Sequence, residues 1–179
     1  MGKKLALAFP GTGFTTKEPL FQRCFSALQN KGHEIIELDF SMIPFKEIET
    51  IPEAVEAANR QVALQLKGIR LEEYEDVAFV SKSLGTVCAG WLEGHWGIHP
   101  RQLYLTPIRE TLEYIQTDSQ VIALVLGDKA RLMPVGELEA FCMPRGLRMV
   151  VFAGVGHSLK DDEDPVRTKS IAEQIAALC

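Results

Sequence analysis

Apolar residues along the chain fall into two alternating rhythms. Short, nearly continuous apolar runs, KLALAF (4–9), HEIIELDF (33–40), VAFVS (77–81), RQLYLT (101–106), VIALVLG (121–127) and LRMVVFAG (147–154), read as buried strands. Between them the apolar positions recur every three or four residues. Over 18–30, Phe21, Cys24, Phe25 and Leu28 share one helical face, and Asn30, Lys31 and Gly32 close the helix. Over 52–67, Pro52 suits a first turn and Val55, Ala58, Val62 and Leu66 form the stripe. TVCAGWLEG (86–94) reads as a helix entered directly from the third strand. Helical stretches are expected near 107–115 and 134–142, and over 167–178 with Ile171, Ile175 and Leu178 on one side. Strands that are apolar on both faces and joined by helices indicate an α/β fold, a three-layer sandwich around a mostly parallel six-stranded sheet. The periodicity leaves the order of the strands open. No repeat, low-complexity tract or linker divides residues 1–179, which are expected to form a single domain.

Composition narrows the function classes. The chain has 179 residues, enough for one substantial core, with 46% hydrophobic and 24% charged residues. A formal net charge of -5 gives no bulk attraction to nucleic acid or to an anionic membrane surface. Cys24, Cys88, Cys142 and Cys179 are widely spaced, form no CxxC pair and have no histidine at metal-site spacing, so they read as ordinary thiols. The basic start MGKKLALAFPG carries an apolar run too short for a signal peptide, and no run reaches transmembrane length. The expected location is the cytoplasm, with no metal and no organic cofactor.

Chemistry concentrates in three loops. SKSLG (81–85) lies between a strand and a helix, the setting of the G-x-S-x-G nucleophile elbow. Residues two positions either side of the serine must be small there. Gly85 meets that requirement, and Ser81 stands where a glycine is usual. Ser83 is therefore the candidate nucleophile, above helix N–H groups that favour negative charge. His157, in GVGHSL after the last strand, is the candidate base, able to take the seryl proton and return it to a leaving group. His33 reads as a surface residue, and His95 and His99 lie toward the opposite end of the sheet. An oxyanion needs two backbone donors. The Leu84 N–H is one. The loop FPGTG (9–13) supplies the other, with Thr12 ahead of Gly13. That loop lacks both the G-x-G-x-x-G and the P-loop endings, which counts against phosphate or nucleotide binding.

With these pieces in place the chain resembles the α/β-hydrolase superfamily in a small form without a cap, nearest to dienelactone-hydrolase-like and carboxylesterase-like serine hydrolases. The matching pieces, FPGTG, SKSLG, LVLGDKARLMP and GVGHSL, occur in the family's nucleophile, acid, histidine order. The resemblance implies that the first two antiparallel strands of the fold are missing, and a strand order of second, first, third, fourth, fifth, sixth. It also implies a Ser83–His157–acid triad. The usual acid position falls on Ala130, so Asp128 is the first substitute and Glu110 the second, with Asp161 or Asp162 further candidates. The implied reaction is cleavage of a small ester-type substrate through an acyl-enzyme. Short connections after the third and fourth strands leave no room for a lid. Gly13, Phe14, Lys82 and Thr106 are expected beside the substrate, Lys82 more as a surface lysine than an anchor, with Trp91, Pro107 and Ile108 as further lining. The implied partner is a small acyl molecule, neither nucleic acid nor membrane, and a homodimer is compatible with the sequence. The rival is a non-catalytic scaffold that binds a small molecule or protein in the same cleft, favoured by Ala130.

Overall fold

A computed structural model describes residues 2–179. Its single sheet contains six strands, β1 (Lys3–Phe9), β2 (His33–Glu37), β3 (Tyr74–Lys82), β4 (Arg101–Leu105), β5 (Gln120–Gly127) and β6 (Met149–Phe152). They lie in the order β2-β1-β3-β4-β5-β6, and every neighbouring pair is parallel. The order is the one the resemblance implies. Five α-helices cover the sheet: α1 (Pro19–Asn30), α2 (Ile51–Gln65), α3 (Leu84–Trp96), α4 (Val135–Cys142) and α5 (Pro165–Ala176).

The two-residue period of a strand divides the core into two layers. Leu5, Leu7 and Phe9 of β1, Phe79 of β3, Tyr104 of β4 and Leu124 and Leu126 of β5 point to the face covered by α2, α3 and α4. Ala6, Ala8, Ala78, Val80, Leu103, Leu105, Ala123 and Val125 point to the other face, against α1 and α5. Both faces of the central strands are dry, which is why their sequences run apolar without alternation. Small alanines on the second face let α1 bring Phe21 and Phe25 close to the sheet; both rings are buried there, 5.7 Å apart.

The stretch near 107–115 differs from expectation. It forms one 3-10 turn, Arg109–Glu113, rather than an α-helix. The Thr111 hydroxyl accepts the Ile108 N–H and meets Thr86 Oγ1 at 2.6 Å, so a local side-chain bond replaces a helical ladder. The final helix begins at Pro165, two residues early, because Asp164 caps it by accepting the N–H groups of Val166 and Arg167. His33 is a buried residue rather than a surface one. Its Nδ1 lies 3.1 Å from the Leu28 carbonyl and its Nε2 3.1 Å from Asp76. Among the described residues no helix is long and apolar enough to cross a membrane.

Candidate active site

The turn from β3 into α3 carries the site. Ser83 sits there at φ 53°, ψ -122°, a conformation unfavourable for any residue with a Cβ. Holding such a residue costs of order 1–3 kcal/mol, and the surroundings must impose it. They do so through three bonds. The Ser83 N–H donates to Leu105 at 3.0 Å, and its carbonyl accepts both the N–H and the hydroxyl of Thr86. The need for small neighbours is visible in the packing. A Cβ on Gly85 would stand 2.5 Å from the Phe9 carbonyl oxygen and nearer still to that of Pro10. Ser81 is fully buried, its hydroxyl spent on Leu103 O at 3.4 Å.

His157 arrives on the loop after β6. That loop is pinned to the end of β5, where Lys129 donates to the Val155 carbonyl and Gly127 has no room for a Cβ against Val155 and Gly156. The loop brings His157 Nε2 to 2.7 Å from Ser83 Oγ. Burial, together with the charge of Lys82, pushes the imidazole down to about 4, so the ring is neutral at pH 7. A neutral ring that accepts the Ser83 proton at Nε2 must carry its own proton on Nδ1. Nδ1 is buried and has no hydrogen-bond partner among the described residues.

The candidate acids lie elsewhere. Asp128 is exposed and its carboxylate accepts the Gly154 N–H at 2.7 Å. Asp161 pairs with Arg167 at 2.7 Å, and Asp162 is exposed. Glu110 lines a cavity beside Ser83 together with Arg109 and Arg131. Ala130, at the position where the resemblance places the acid, is buried and offers only a methyl group. Ser83 and His157 are thus brought together, and Asp128 is not brought to them.

The FPGTG loop lies against the elbow. Gly11 donates to Phe14 O at 2.9 Å, closing a tight turn, and a Cβ on Gly11 would be 3.2 Å from that of Ser83. The Thr12 and Leu84 amides, the two oxyanion candidates, are not engaged in backbone hydrogen bonds among the described residues. Gly13 has open space where a side chain would be. Two cavities meet at Ser83. One, about 260 Å³, is walled by Thr12, Gly13, Phe14, Lys82 and His157. The other, about 380 Å³, runs past Leu84 to Ile108, Phe45, Ile48 and Ile51. A larger hollow of about 570 Å³ adjoins both at Thr12 and continues along Phe40 and Phe45.

Several lining residues differ from expectation. Trp91 packs against the core and stacks on His95 with ring centroids 4.7 Å apart. Thr106 is fully buried at φ 43°, its hydroxyl accepting from Lys82. Lys82 is 1% exposed rather than a surface lysine, with Nζ 2.5 Å from Thr106 Oγ1 and 2.6 Å from the His157 carbonyl. The segment 45–51 was absent from the expected lining, although its PFKEI and TIP spacing held an apolar signal. His95 and His99 sit at the far end of α3, where Gly97 closes the helix and His99 faces Glu93 at 3.6 Å. Among the described residues no group of three His, Cys, Asp or Glu side chains could hold a metal.

The fold is similar to that of solved structures described as α/β hydrolases. A serine hydrolase homologue from Coxiella burnetii superposes with a TM-score of 0.68 at 14% identity, over 98% of this chain and 84% of that one. Est1E from Butyrivibrio proteoclasticus, in a structure holding ferulic acid, gives 0.68 at 12% identity over 98% and 88%. The esterase Pf2001 from Pyrococcus furiosus gives 0.63 at 14% over 99% and 82%. No protein-family model matches the chain, and the comparison with curated proteins finds no match.

Proposed function

We propose that the chain is a small capless serine hydrolase, dienelactone-hydrolase-like or carboxylesterase-like, that cleaves an ester-type substrate through an acyl-enzyme. One observation carries the reading: a strained serine whose Oγ lies 2.7 Å from a histidine Nε2 that starts neutral. Ser83 attacks the carbonyl carbon while its proton passes to His157 Nε2. The Thr12 and Leu84 amides receive the oxyanion. The protonated ring then gives its proton to the departing alkoxide, and a water repeats the sequence to release the acid. The 380 Å³ cavity, walled by Phe45, Ile51, Leu84 and Ile108, suits an apolar group on the substrate. Est1E, which holds ferulic acid, is a precedent on this fold for a small aromatic acid. Four buried free thiols suit a reducing compartment such as the cytoplasm.

A second reading, a scaffold that binds in the cleft without turnover, draws on the unpartnered Nδ1 and on Asp128 being committed to Gly154. Reaction with a fluorophosphonate probe, followed by intact mass, separates the two. The hydrolase reading expects one adduct per chain, none in Ser83→Ala, and a rate lowered about 10²–10⁴-fold in His157→Ala. A folded wild-type protein that takes up no probe leaves only the scaffold.

A further inference from the structure

Lys82 is among the largest fully buried side chains of the protein. Lysine is almost never buried unless paired, yet among the described residues no carboxylate lies within ion-pair distance of it. Its Nζ meets Thr106 Oγ1 at 2.5 Å, the His157 carbonyl oxygen at 2.6 Å, and the face of Phe14 at 4.8 Å. The group it touches through the backbone is the one whose ring lacks a second anchor: His157 is held at Nε2 by Ser83 and by nothing at Nδ1.

We propose that Lys82 is a positioning residue acting through His157: by donating from Nζ to the His157 carbonyl and to Thr106 Oγ1, it ties the histidine loop to the ends of β3 and β4 and holds the imidazole on Ser83 without a carboxylate. The inference deepens the hydrolase reading and rests on it for its activity arm alone.

Proton counting shows which form of the lysine is competent. An ammonium has three N–H donors, and Lys82 has two acceptors. The neutral amine has two N–H groups and fills both, so both tethers survive deprotonation. The contact with the Phe14 ring favours the charged form, and so do the two oxygen acceptors, which bond an ammonium more strongly than an amine. The titratable groups facing Lys82 are His157, whose ring is neutral at pH 7, and Lys160, which is paired with Glu18 at 2.8 Å. Thr106 and Phe14 bring no charge. Burial, with Lys160 adding to it, lowers Lys82 to about 7. While Lys82 is charged it opposes an imidazolium beside it. Transfer of the Ser83 proton to His157 is therefore easier once Lys82 has lost its own.

The test follows p-nitrophenyl acetate hydrolysis from pH 5 to 9, and in parallel the ¹⁵N resonances of the His157 ring. In the wild type kcat/KM rises with pH to a midpoint of about 7 and then levels, above the midpoint of about 4 expected of His157 itself. Lys82→Met moves the rise to lower pH, cuts the plateau in kcat about tenfold with KM little changed, and shifts the His157 ring titration upward. Lys82→Arg, permanently charged, shows no rise near pH 7 and stays low. Thr106→Val keeps the lysine but removes an acceptor that favours its charge, so the rise moves to lower pH; it serves should Lys82→Met fail to fold. An unchanged midpoint and an unchanged His157 titration in both Lys82→Met and Thr106→Val overturn the proposal. If the wild type hydrolyses nothing and takes up no fluorophosphonate, the hydrolase reading falls. The ring titrations then still decide whether Lys82 holds and biases His157.

Discussion

Replacing Lys82 with methionine removes a buried amine while keeping its approximate volume. Burial holds the native Lys82 at about 7 against an ordinary 10.5. That gap of roughly 3.5 pH units, at about 1.4 kcal/mol each, puts the cost of burying the charged form near 5 kcal/mol, to order of magnitude. The sign follows from proton binding. Between about 7 and 10.5 the unfolded chain keeps this proton and the native chain has lost it, so the stability of the wild type climbs with pH. Below about 7 both states hold the proton and the full cost is present. Methionine carries no such dependence. It does strand the His157 carbonyl and the Thr106 hydroxyl, at about 1–3 kcal/mol each, but that loss does not vary with pH. The stability difference, Lys82→Met minus wild type, is therefore expected to be more favourable at pH 7 than at pH 9 by about 2–3 kcal/mol. Titrating groups away from Lys82, such as the Cys88 thiol that burial pushes up to about 12, are common to both proteins and cancel. Urea denaturation followed by circular dichroism at the two pH values measures it. An identical difference at pH 7 and pH 9 would refute the assignment of Lys82 as a depressed, titrating buried amine.

Gly85→Ala drives a methyl group into the Phe9 and Pro10 carbonyls, which are backbone and cannot swing aside. A loss of about 1–3 kcal/mol or more is expected, with a lower fluorophosphonate rate because the Thr12 amide moves with its loop; Gly13→Ala, which meets nothing within 4 Å, is the control for the steric part and should cost far less by the same denaturation assay. Ala130→Asp restores a carboxylate at the position where the resemblance places the acid. The wild-type deficit it addresses is at most about 10⁴-fold, the loss known for removing the acid of a serine-protease triad. At least a tenfold faster labelling of Ser83 and a higher His157 midpoint are expected by mass spectrometry and NMR, and no change in either would show that residue 130 does not reach Nδ1.

What the sequence disclosed and what it hid divide along a physical line. The strands were legible because burial on both faces leaves runs such as VIALVLG with no polar interruption. The elbow was legible because a tight strand-to-helix turn admits only small residues at 81 and 85. Ser83 and His157 lie 74 positions apart in the chain and meet at 2.7 Å, and the shared end of a parallel sheet was enough to foresee that meeting. Register placed the acid on Ala130, and Asp128, two residues earlier, was read as its first substitute. Its direction is set by the Gly154 N–H, a partner on another strand's loop that no local pattern displays. Lys82 was read as a surface lysine because its residue type is nearly always solvated. Its burial follows from strand parity at the end of β3 and from two acceptors contributed by β4 and the histidine loop. The segment 107–115 was read as helical from its spacing, whereas Thr86 and Thr111 share a buried hydroxyl contact that fixes a 3-10 turn.

A lysine and a carboxylate can both steady a histidine, but they act differently on the charge that forms during reaction. A carboxylate at Nδ1 orients the ring and stabilises the imidazolium. Lys82, bonded to the main chain of His157, orients the loop and, while charged, disfavours the imidazolium. On the hydrolase reading the step this taxes is the one in which His157 carries a proton between Ser83 and the leaving group. A leaving group that departs readily as an anion needs less of that proton. On that reading the arrangement is expected to favour aryl esters and thioesters over alkyl esters and amides. On that reading the Thr12 and Leu84 amides retain their value for such substrates, since they do not depend on the protonation state of the ring. On the hydrolase reading, the same geometry that limits a Ser–His pair without an acid thus narrows the substrates it would serve.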